Sequence, residues 1–240
     1  MKNLETISGI NTVLINGAVG AIEVRCKQPK ADALEFTAAA QISSSPGLVK
    51  LVVLSHPHPL YGGTMNNKVI TTLERAFLSL GYITVAYNFR GVGQSSGLHD
   101  HGAGEQDDLA AVLSWASQRF KAEHIVLAGF SFGSYVTLQA LNQAWLNDYK
   151  PFIKGICTVA PPVGLYDFNG LHVQDVPWVV IQGGQDEVVN AQAILTWVMS
   201  ANTAHNDNHT MMADVYWRGK ASHFFHGELV WLKNTVLAIY

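Results

Sequence analysis

Residues 124–141 read HIVLAGFSFGSYVTLQAL, and residues 129–133 within them follow the pattern Gly-x-Ser-x-Gly. An apolar run typical of a buried strand precedes the pattern, and a segment with helical spacing follows it. In this context the chain turns so sharply that side chains at positions 129 and 133 would collide with neighbouring backbone, so glycine fits both positions. The turn leaves the hydroxyl of Ser131 above the sheet, beside the amino end of a helix. The stretch therefore predicts a strand–turn–helix unit with Ser131 as a candidate nucleophile.

The composition of the 240-residue chain is that of a globular protein with a large core. Apolar residues make up 48% of the chain and charged residues 14%, which excludes a disordered chain. The net charge is −3 and no segment is rich in Lys or Arg, so the sequence predicts no binding of nucleic acid. We expect no signal peptide, because the amino terminus has one positive charge but no apolar h-region, and no membrane span, because no stretch approaches 18 apolar residues. Without a linker or a shift in composition, the chain is predicted to be a single domain over residues 1–240.

Two cysteines, Cys26 and Cys157, are present. Two lone cysteines in a chain of this size, without an export signal, predict free thiols in the reducing cytoplasm. Cys157 lies inside the apolar run 153–160 and is expected to pack in the core.

Short apolar runs alternate with helical patterns along most of the chain. The runs cover residues 48–55, 82–88, 124–129, 153–160, 178–182 and 211–217. Such alternation predicts the α/β class, with a mostly parallel sheet covered by helices on both faces. Functional residues in such sheets collect in the loops that follow the carboxyl ends of the strands.

The segments outside this alternation are predicted as follows. Residues 11–16 and 21–26 alternate weakly around Asn16-Gly17, which indicates a hairpin. Residues 38–47 are expected to form a loop. One helical pattern is stopped by Gly81, and another is expected to begin after Asp107 and Asp108.

A serine hydroxyl becomes a useful nucleophile when a base takes its proton and an acceptor orients that base. Asp186 follows the predicted strand 178–182 and is the preferred acid; its other interpretation is a cap for the helix that begins near Asn190. Asp167 is the rival acid, and Asp175 is less well placed. His223 lies in the loop before the last helix and is the preferred base over His226, which is closer to the helix start.

Acyl transfer also needs N–H donors where the carbonyl oxygen gains negative charge. The backbone N–H of Phe132, directly after the candidate nucleophile, is the first expected donor. The second should come from the loop after the strand 48–55, where Pro57 and Pro59 have no N–H. The amides of His58, Leu60 and Tyr61 remain, and His58 is preferred.

Three further features allow more than one interpretation. Arg90 could anchor a substrate carboxylate, but is expected to tie the active-site loops together through backbone carbonyls. His99 and His101 are expected to lie in solvent rather than on the rim of a pocket. The His-x-His spacing at His56/His58 and His99/His101 also fits a metal-dependent hydrolase, although that hypothesis leaves residues 129–133 unexplained.

Five motifs in one order resemble those of a known superfamily. They are the loop His-Pro-His-Pro-Leu-Tyr-Gly-Gly at 56–63, Asn-Phe-Arg-Gly-Val-Gly at 88–93, the serine pattern at 129–133, Gly-Gln-Asp at 184–186 and His-Phe-Phe at 223–225. Together they resemble the α/β-hydrolase superfamily and, within it, a group of small bacterial hydrolases. The similarity runs from about residue 48 to the carboxyl terminus and implies a sheet of about eight strands. It also implies that Ser131, Asp186 and His223 form a catalytic triad.

The resemblance and the residues together predict a serine hydrolase that cleaves a carboxylic ester or a related acyl bond. Residues 161–177 are too few for a large lid, so the pocket is expected to be open and to suit small acyl groups. No metal or organic cofactor is expected, and the expected partner is a small-molecule acyl substrate rather than nucleic acid or membrane. Two alternatives stay open, a non-catalytic binding module on the same fold and a His-ligated metallohydrolase. The sequence does not distinguish an ester from a thioester or amide substrate, and it leaves the oligomeric state open.

Overall fold

A computed structural model describes residues 10–29, 48–171, 173, 176–203 and 213–240, which form a single sheet flanked by helices. The strands are β1 Ile10–Gly17, β2 Gly20–Lys27, β3 Lys50–Ser55, β4 Ile83–Tyr87, β5 His124–Phe130, β6 Ile153–Val159, β7 Trp178–Gly183 and β8 Ala213–Arg218. The helices are α1 Lys68–Ser79, α2 Ala103–Phe120, α3 Phe132–Ala140, α4 Ala191–Thr203 and α5 Leu229–Ile239. Short 3₁₀ turns cover Pro59–Tyr61, Ala144–Leu146 and Lys150–Phe152.

The eight strands lie in the order β1-β2-β4-β3-β5-β6-β7-β8. Strands β3 to β8 pair in parallel, and β2 is antiparallel to both of its neighbours, β1 and β4. The predicted α/β class and the predicted number of strands are confirmed. Because β3, β5, β7 and β8 all run in one direction, the loops that carry the candidate site residues leave the sheet at the same edge.

The predicted hairpin forms, but its turn lies two residues later than expected. Gly17 pairs with Gly20, so Ala18 and Val19 form the turn instead of Asn16-Gly17. Gly20 has a φ of 125°, which a side chain would oppose. The loop predicted at 38–47 lies outside the described residues, as do Met211 and Met212 before β8.

The central strands alternate their side chains between two apolar layers. Leu51 and Val53 of β3 pack in one layer, with residues of α2, α3 and α4. Val52 and Leu54 pack in the other, with residues of α1 and α5. Helices therefore cover both faces of the sheet, and the period of two along a buried strand sends alternate residues into each layer.

The end of α1 matches the prediction, whereas α2 begins earlier than expected. The side chain of Asn67 accepts the Val69 N–H at the start of α1, and Gly81, just beyond its end, has a φ of 83°. Helix α2 begins at Ala103, so Asp107 and Asp108 lie in its second turn rather than before it. No helix in the described part of the chain is long and apolar enough to cross a membrane.

The two thiols are buried, and Cys157 packs in the layer formed with α1 and α5, as predicted. Neither cysteine is in a disulfide bond. Burial raises the pKa of each thiol to about 12, so neither is a ready nucleophile.

Candidate active site

Ser131 lies at the tip of the turn between β5 and α3, in a backbone conformation that few L-residues adopt. Its φ is 53° and its ψ is −121°. A side chain at Gly129 would overlap the backbone of Gly133, and one at Gly133 would overlap the backbone carbonyl of Ser55. The expectation that both glycines avoid a collision is confirmed, and the second collision partner shows that β3 packs directly under the turn.

The structure brings Ser131, His223 and Asp186 into one hydrogen-bonded series. The Nε2 atom of His223 lies 3.0 Å from Ser131 Oγ, and its Nδ1 atom lies 2.8 Å from Asp186 Oδ2. The His223 side chain is 2% exposed and the Asp186 side chain is fully buried. When the Nδ1–H group donates a hydrogen bond to the Asp186 carboxylate, Nε2 is left as the acceptor for the Ser131 O–H.

Asp186 is held by more partners than His223 alone. Its Oδ1 accepts the backbone N–H groups of Val188 and Val189, and its Oδ2 also accepts the side-chain amide of Gln182 at 3.0 Å. Burial alone would raise the pKa of the Asp186 carboxyl, but the hydrogen bond and charge of His223, together with the Val189 and Gln182 donors, lower the pKa below its ordinary value. The carboxyl is therefore ionised at neutral pH.

Neither the capping interpretation of Asp186 nor the role of Asp167 as the acid is supported by the described residues. Asn190, not Asp186, caps α4, because its side chain accepts the N–H groups of Gln192 and Ala193. Asp167 is exposed, and its carboxylate accepts the N–H of Asn169 in its own loop. Asp175 lies outside the described residues.

His223 and His226 differ sharply in their surroundings. The ring of His226 is exposed, and its backbone N–H donates to Ser222 Oγ at 3.3 Å. It does not cap α5, which begins after Glu228. The structure thus places His223, and not His226, against Ser131.

The backbone N–H groups of His58 and Phe132, both close to Ser131, have no hydrogen-bond acceptor among the described residues. The other two candidate amides of this loop are engaged. The Leu60 N–H donates to the His58 ring at 3.2 Å, and the Tyr61 N–H donates to the His58 carbonyl at 3.2 Å. The His58 and Phe132 rings lie 5.2 Å apart, so the two segments are adjacent.

The buried ring of His56 supports this loop through two hydrogen bonds. Its Nδ1–H donates to the Pro57 carbonyl at 2.6 Å, and its Nε2 accepts the backbone N–H of Phe89 at 3.0 Å. Burial lowers the pKa of His56 to about 3, so the ring is neutral. Since both nitrogens are used, the ring has no free lone pair for a metal ion.

The expectation that both His99 and His101 lie in solvent is wrong for His99. Its side chain is only 4% exposed, and its ring lies 4.6 Å from the ring of His58 and 5.3 Å from that of Phe132. Buried Glu105, whose carboxylate accepts the N–H groups of Asp100 and Gly102, folds the loop inward. The described residues contain no group of three or more side chains that could hold a metal ion.

Arg90 ties loops together, but through a carboxylate rather than through backbone carbonyls. Its guanidinium forms hydrogen bonds of 3.0 to 3.2 Å with Asp108 of α2, and its own backbone N–H donates to the same carboxylate. Arg90 is 6% exposed, so it is committed to Asp108 and is not free to bind a substrate carboxylate.

Two supporting residues were missed by the sequence interpretation. Gln182 donates to Asp186, and Glu187 accepts the backbone N–H of His223 at 3.0 Å. Gln182 is the polar residue of an otherwise apolar strand, a signal that could have been noticed. Nothing in the sequence pairs Glu187 with a residue 36 positions away.

The connection between β6 and β7 covers the site with side chains rather than with a lid. Tyr166 from this segment stacks on Tyr135 with ring centres 4.6 Å apart, and it lies 5.5 Å from Phe132. Its described part contains no helix, so the expected absence of a large lid is confirmed. An aromatic wall of His58, Phe132 and Tyr166 therefore flanks Ser131.

Comparison with known proteins places this arrangement in a family. The family model described as alpha/beta hydrolase fold matches residues 58–169. An alpha-beta serine hydrolase homologue from Coxiella burnetii is 37% identical, with 95% of this chain and 96% of that chain covered at a TM-score of 0.77. XC6422 from Xanthomonas campestris, described as an a/b serine hydrolase without lid, is 32% identical, with 98% and 95% covered at a TM-score of 0.78.

A curated relative, the uncharacterised protein RP471 of Rickettsia prowazekii, is 35% identical over 187 residues, which are 76% of this chain and 74% of the relative. The two solved relatives indicate the same family as the eight-stranded sheet and the serine turn. The chain belongs to the α/β-hydrolase family of serine hydrolases.

Proposed function

We propose that this protein cleaves a carboxylic ester or a related acyl bond through a Ser131–His223–Asp186 triad and an acyl-enzyme intermediate. One observation carries the proposal: a buried imidazole spans the serine hydroxyl at 3.0 Å and a buried carboxylate at 2.8 Å. These separations are within the range at which a proton can pass between heavy atoms. The order of serine, acid and histidine along the chain is also that of α/β-hydrolases.

The first half of the reaction forms the acyl-enzyme. Ser131 Oγ attacks the substrate carbonyl carbon while its proton passes to His223 Nε2, and Asp186 stabilises the imidazolium that results. The carbonyl oxygen becomes an oxyanion, for which the unengaged N–H groups of Phe132 and His58 are suitable donors. When the C–O bond to the leaving group breaks, the leaving oxygen takes the proton from Nε2.

The second half releases the acid. A water molecule gives a proton to His223 Nε2 and attacks the acyl carbon, and the same two N–H groups hold the second oxyanion. Collapse of this intermediate breaks the bond to Ser131 Oγ, which recovers its proton from Nε2. The residues present thus complete a turnover by proton transfer and hydrogen bonding.

The aromatic wall supports an acyl site that is open and apolar. The half-buried rings of His58 and Tyr166 form its accessible side, while the Phe132 ring behind them is only 1% exposed. Tyr61, at the rim, is 87% exposed. Because there is no large lid, a short acyl group can reach this wall without a conformational change. We expect p-nitrophenyl acetate and butyrate to be better substrates than longer esters.

Labelling with a fluorophosphonate probe tests the proposal directly, because the probe reacts with an activated serine. We expect one label per chain, on the peptide that contains Ser131. Replacing Ser131 with Ala should abolish labelling and lower the hydrolysis of p-nitrophenyl esters by roughly a thousandfold or more. Hydrolysis that survives in Ser131→Ala and is lost with a chelator would favour the metallohydrolase instead.

The binding-module alternative makes a different prediction in the same assays. If the protein is a binding module, the folded wild type should hydrolyse none of a broad panel of esters. Measured turnover by the wild type, lost in Ser131→Ala with an unchanged circular dichroism spectrum, would overturn it.

A further inference from the structure

The proposed reaction fixes where the alcohol half of the substrate must lie. The leaving oxygen has to approach His223 Nε2 to receive its proton, while the carbonyl oxygen faces the N–H groups of Phe132 and His58. The acyl half then lies on the aromatic wall, and the alcohol half extends over the loop that carries His223.

A cavity lies against the loop that carries His223. It has a volume of about 220 Å³ and is lined by Asn67, Lys68, Phe224 and His226. The ring of Phe224 lies edge-on to the ring of His223, with centres 5.1 Å apart. Only the Phe224 side chain therefore separates the cavity from the His223 ring. At this distance the cavity can hold the far end of a small leaving group.

Among the described residues, the cavity is lined by a positively charged side chain, Lys68, and by no negatively charged one. Lys68 has no carboxylate within ion-pair distance in the described part of the chain, and no acidic residue lines the cavity. The other cations at this edge of the sheet are paired: Arg90 with Asp108, and both Arg218 and Lys220 with Glu228. Lys68, which is exposed to solvent, thus has no carboxylate partner in the described part of the chain and is available to an anionic ligand.

The remaining lining groups also favour an anion. The Oδ1 atom of Asn67 already accepts the Val69 N–H, which leaves the side-chain NH₂ of Asn67 as its free donor. The exposed ring of His226 adds a further donor at the rim. An ammonium, an amide NH₂ and an imidazole together match the oxygen atoms of a carboxylate or phosphate.

We infer that this cavity is the leaving-group subsite, and that the substrates are esters whose alcohol half carries an anionic group. The inference rests on the proposed function, since it locates the alcohol from the position of the base. Carboxylate and phosphate share the required chemistry, and the two are separated by experiment.

Matched acetate esters test the charge preference. The pair is 3-(4-acetoxyphenyl)propionate and its primary amide, in which two methylene groups insulate the scissile bond from the charge. We expect kcat/KM to be about fivefold higher for the anion at low ionic strength, and the ratio to approach one at about 0.5 M salt. A third ester, 2-(4-acetoxyphenyl)ethyl phosphate, shows whether phosphate is preferred over carboxylate.

Charge reversal at Lys68 provides the decisive variant. In Lys68→Glu the anion-to-amide ratio should fall below one, and the variant should fold because acidic residues are favoured at the start of a helix. Arg75→Glu is the matched control, since this exposed residue is seven positions further along α1, about 10 Å away. We expect it to keep the wild-type ratio.

The outcomes separate this inference from the proposed function. If neither ester is hydrolysed by the wild type, the proposed function fails. If both are hydrolysed with a ratio of one, or if Lys68→Glu leaves the ratio unchanged, the anionic leaving-group subsite is wrong while the hydrolase stands.

Discussion

His223 is held at three points on its ring and backbone. Asp186 binds Nδ1, Ser131 binds Nε2, and the carboxylate of Glu187 accepts the backbone N–H at 3.0 Å. An imidazole that must accept a proton and return it within one turnover needs this fixed orientation, because a shift of about an ångström lengthens one of the two hydrogen bonds beyond useful range. The supporting residues therefore bear on the rate although they do not touch the substrate.

Gln182 is a positioning residue whose loss should change the pH dependence. Its amide donates to the same Asp186 oxygen that holds His223, and it helps to lower the pKa of that carboxyl. In Gln182→Leu the pKa of Asp186 should rise and the carboxylate should bind the imidazolium more strongly. We expect kcat to fall by about tenfold, and the acidic limb of the pH–rate profile to move to higher pH.

A pH–rate profile from pH 4 to 9, compared with wild type, measures both effects. Gln118→Leu, an exposed change on α2, is the control and should leave the profile as it is. A lower rate with an unmoved acidic limb would show that Gln182 contributes packing only.

At the scale of elements, the serine turn depends on the close approach of β3 to the start of α3. A side chain at Gly133 would overlap the carbonyl oxygen of Ser55, which belongs to a central strand and cannot move aside. The neighbouring loop is equally tight, because a side chain at Gly63 would overlap the Pro57 carbonyl. The loop after β3 and the turn before α3, which carry the N–H donors and the nucleophile, are thus in close backbone contact.

Gly133→Ala should be severely destabilising for this reason. We expect the free energy of unfolding to fall by at least roughly 3 kcal/mol, as for other forced overlaps in a core, and ester hydrolysis to be lost. Gly164→Ala is a useful comparison, since its φ is 87° but nothing lies within 4 Å of the added methyl group. Backbone strain alone should cost that variant roughly 1 kcal/mol.

Urea unfolding of both variants distinguishes overlap from strain. Equal losses of stability in Gly133→Ala and Gly164→Ala would mean that the contact between β3 and α3 is looser than the structure shows.

At the scale of the whole molecule, the amino-terminal hairpin braces the loops at the catalytic edge. Glu23 accepts hydrogen bonds from the side chain of Asn88 at 2.7 Å and from the backbone of Gln94 at 2.9 Å. The other end of the Asn88 amide accepts the Met65 N–H, and Arg25 donates to the Met65 carbonyl at 2.8 Å. Strand β2 is thereby connected to the loops that follow β3 and β4.

The sequence predicted the sheet and the meeting of Ser131, Asp186 and His223 because both follow from local patterns. Each residue comes just after an apolar run, and parallel strands carry such positions to one edge. It did not predict the burial of His99 or the pairing of Arg90 with Asp108, since such partners depend on how separate loops pack. The hairpin bracing was missed for the same reason: Glu23 and Asn88 are 65 positions apart.

The buried ring of His56 makes the stability of the whole fold depend on pH. Its pKa is about 3 in the folded protein, against about 6.5 in an unfolded chain, so below pH 6.5 the unfolded state takes up a proton that the folded state does not. The stability that the neutral His56 ring contributes above pH 6.5 is thus lost as the pH falls toward 3. Between pH 7 and 4.5 this group alone should remove about 2 to 3 kcal/mol from the free energy of unfolding.

His56→Asn tests this dependence. The variant should be less stable at pH 7, because the hydrogen bonds to Pro57 and Phe89 are disturbed, but its loss between pH 7 and 4.5 should be smaller than that of the wild type by the same 2 to 3 kcal/mol. Urea unfolding at both pH values measures the difference. His226→Asn, a change of an exposed ring, is the control. A variant as sensitive to acid as the wild type would show that other groups drive acid unfolding.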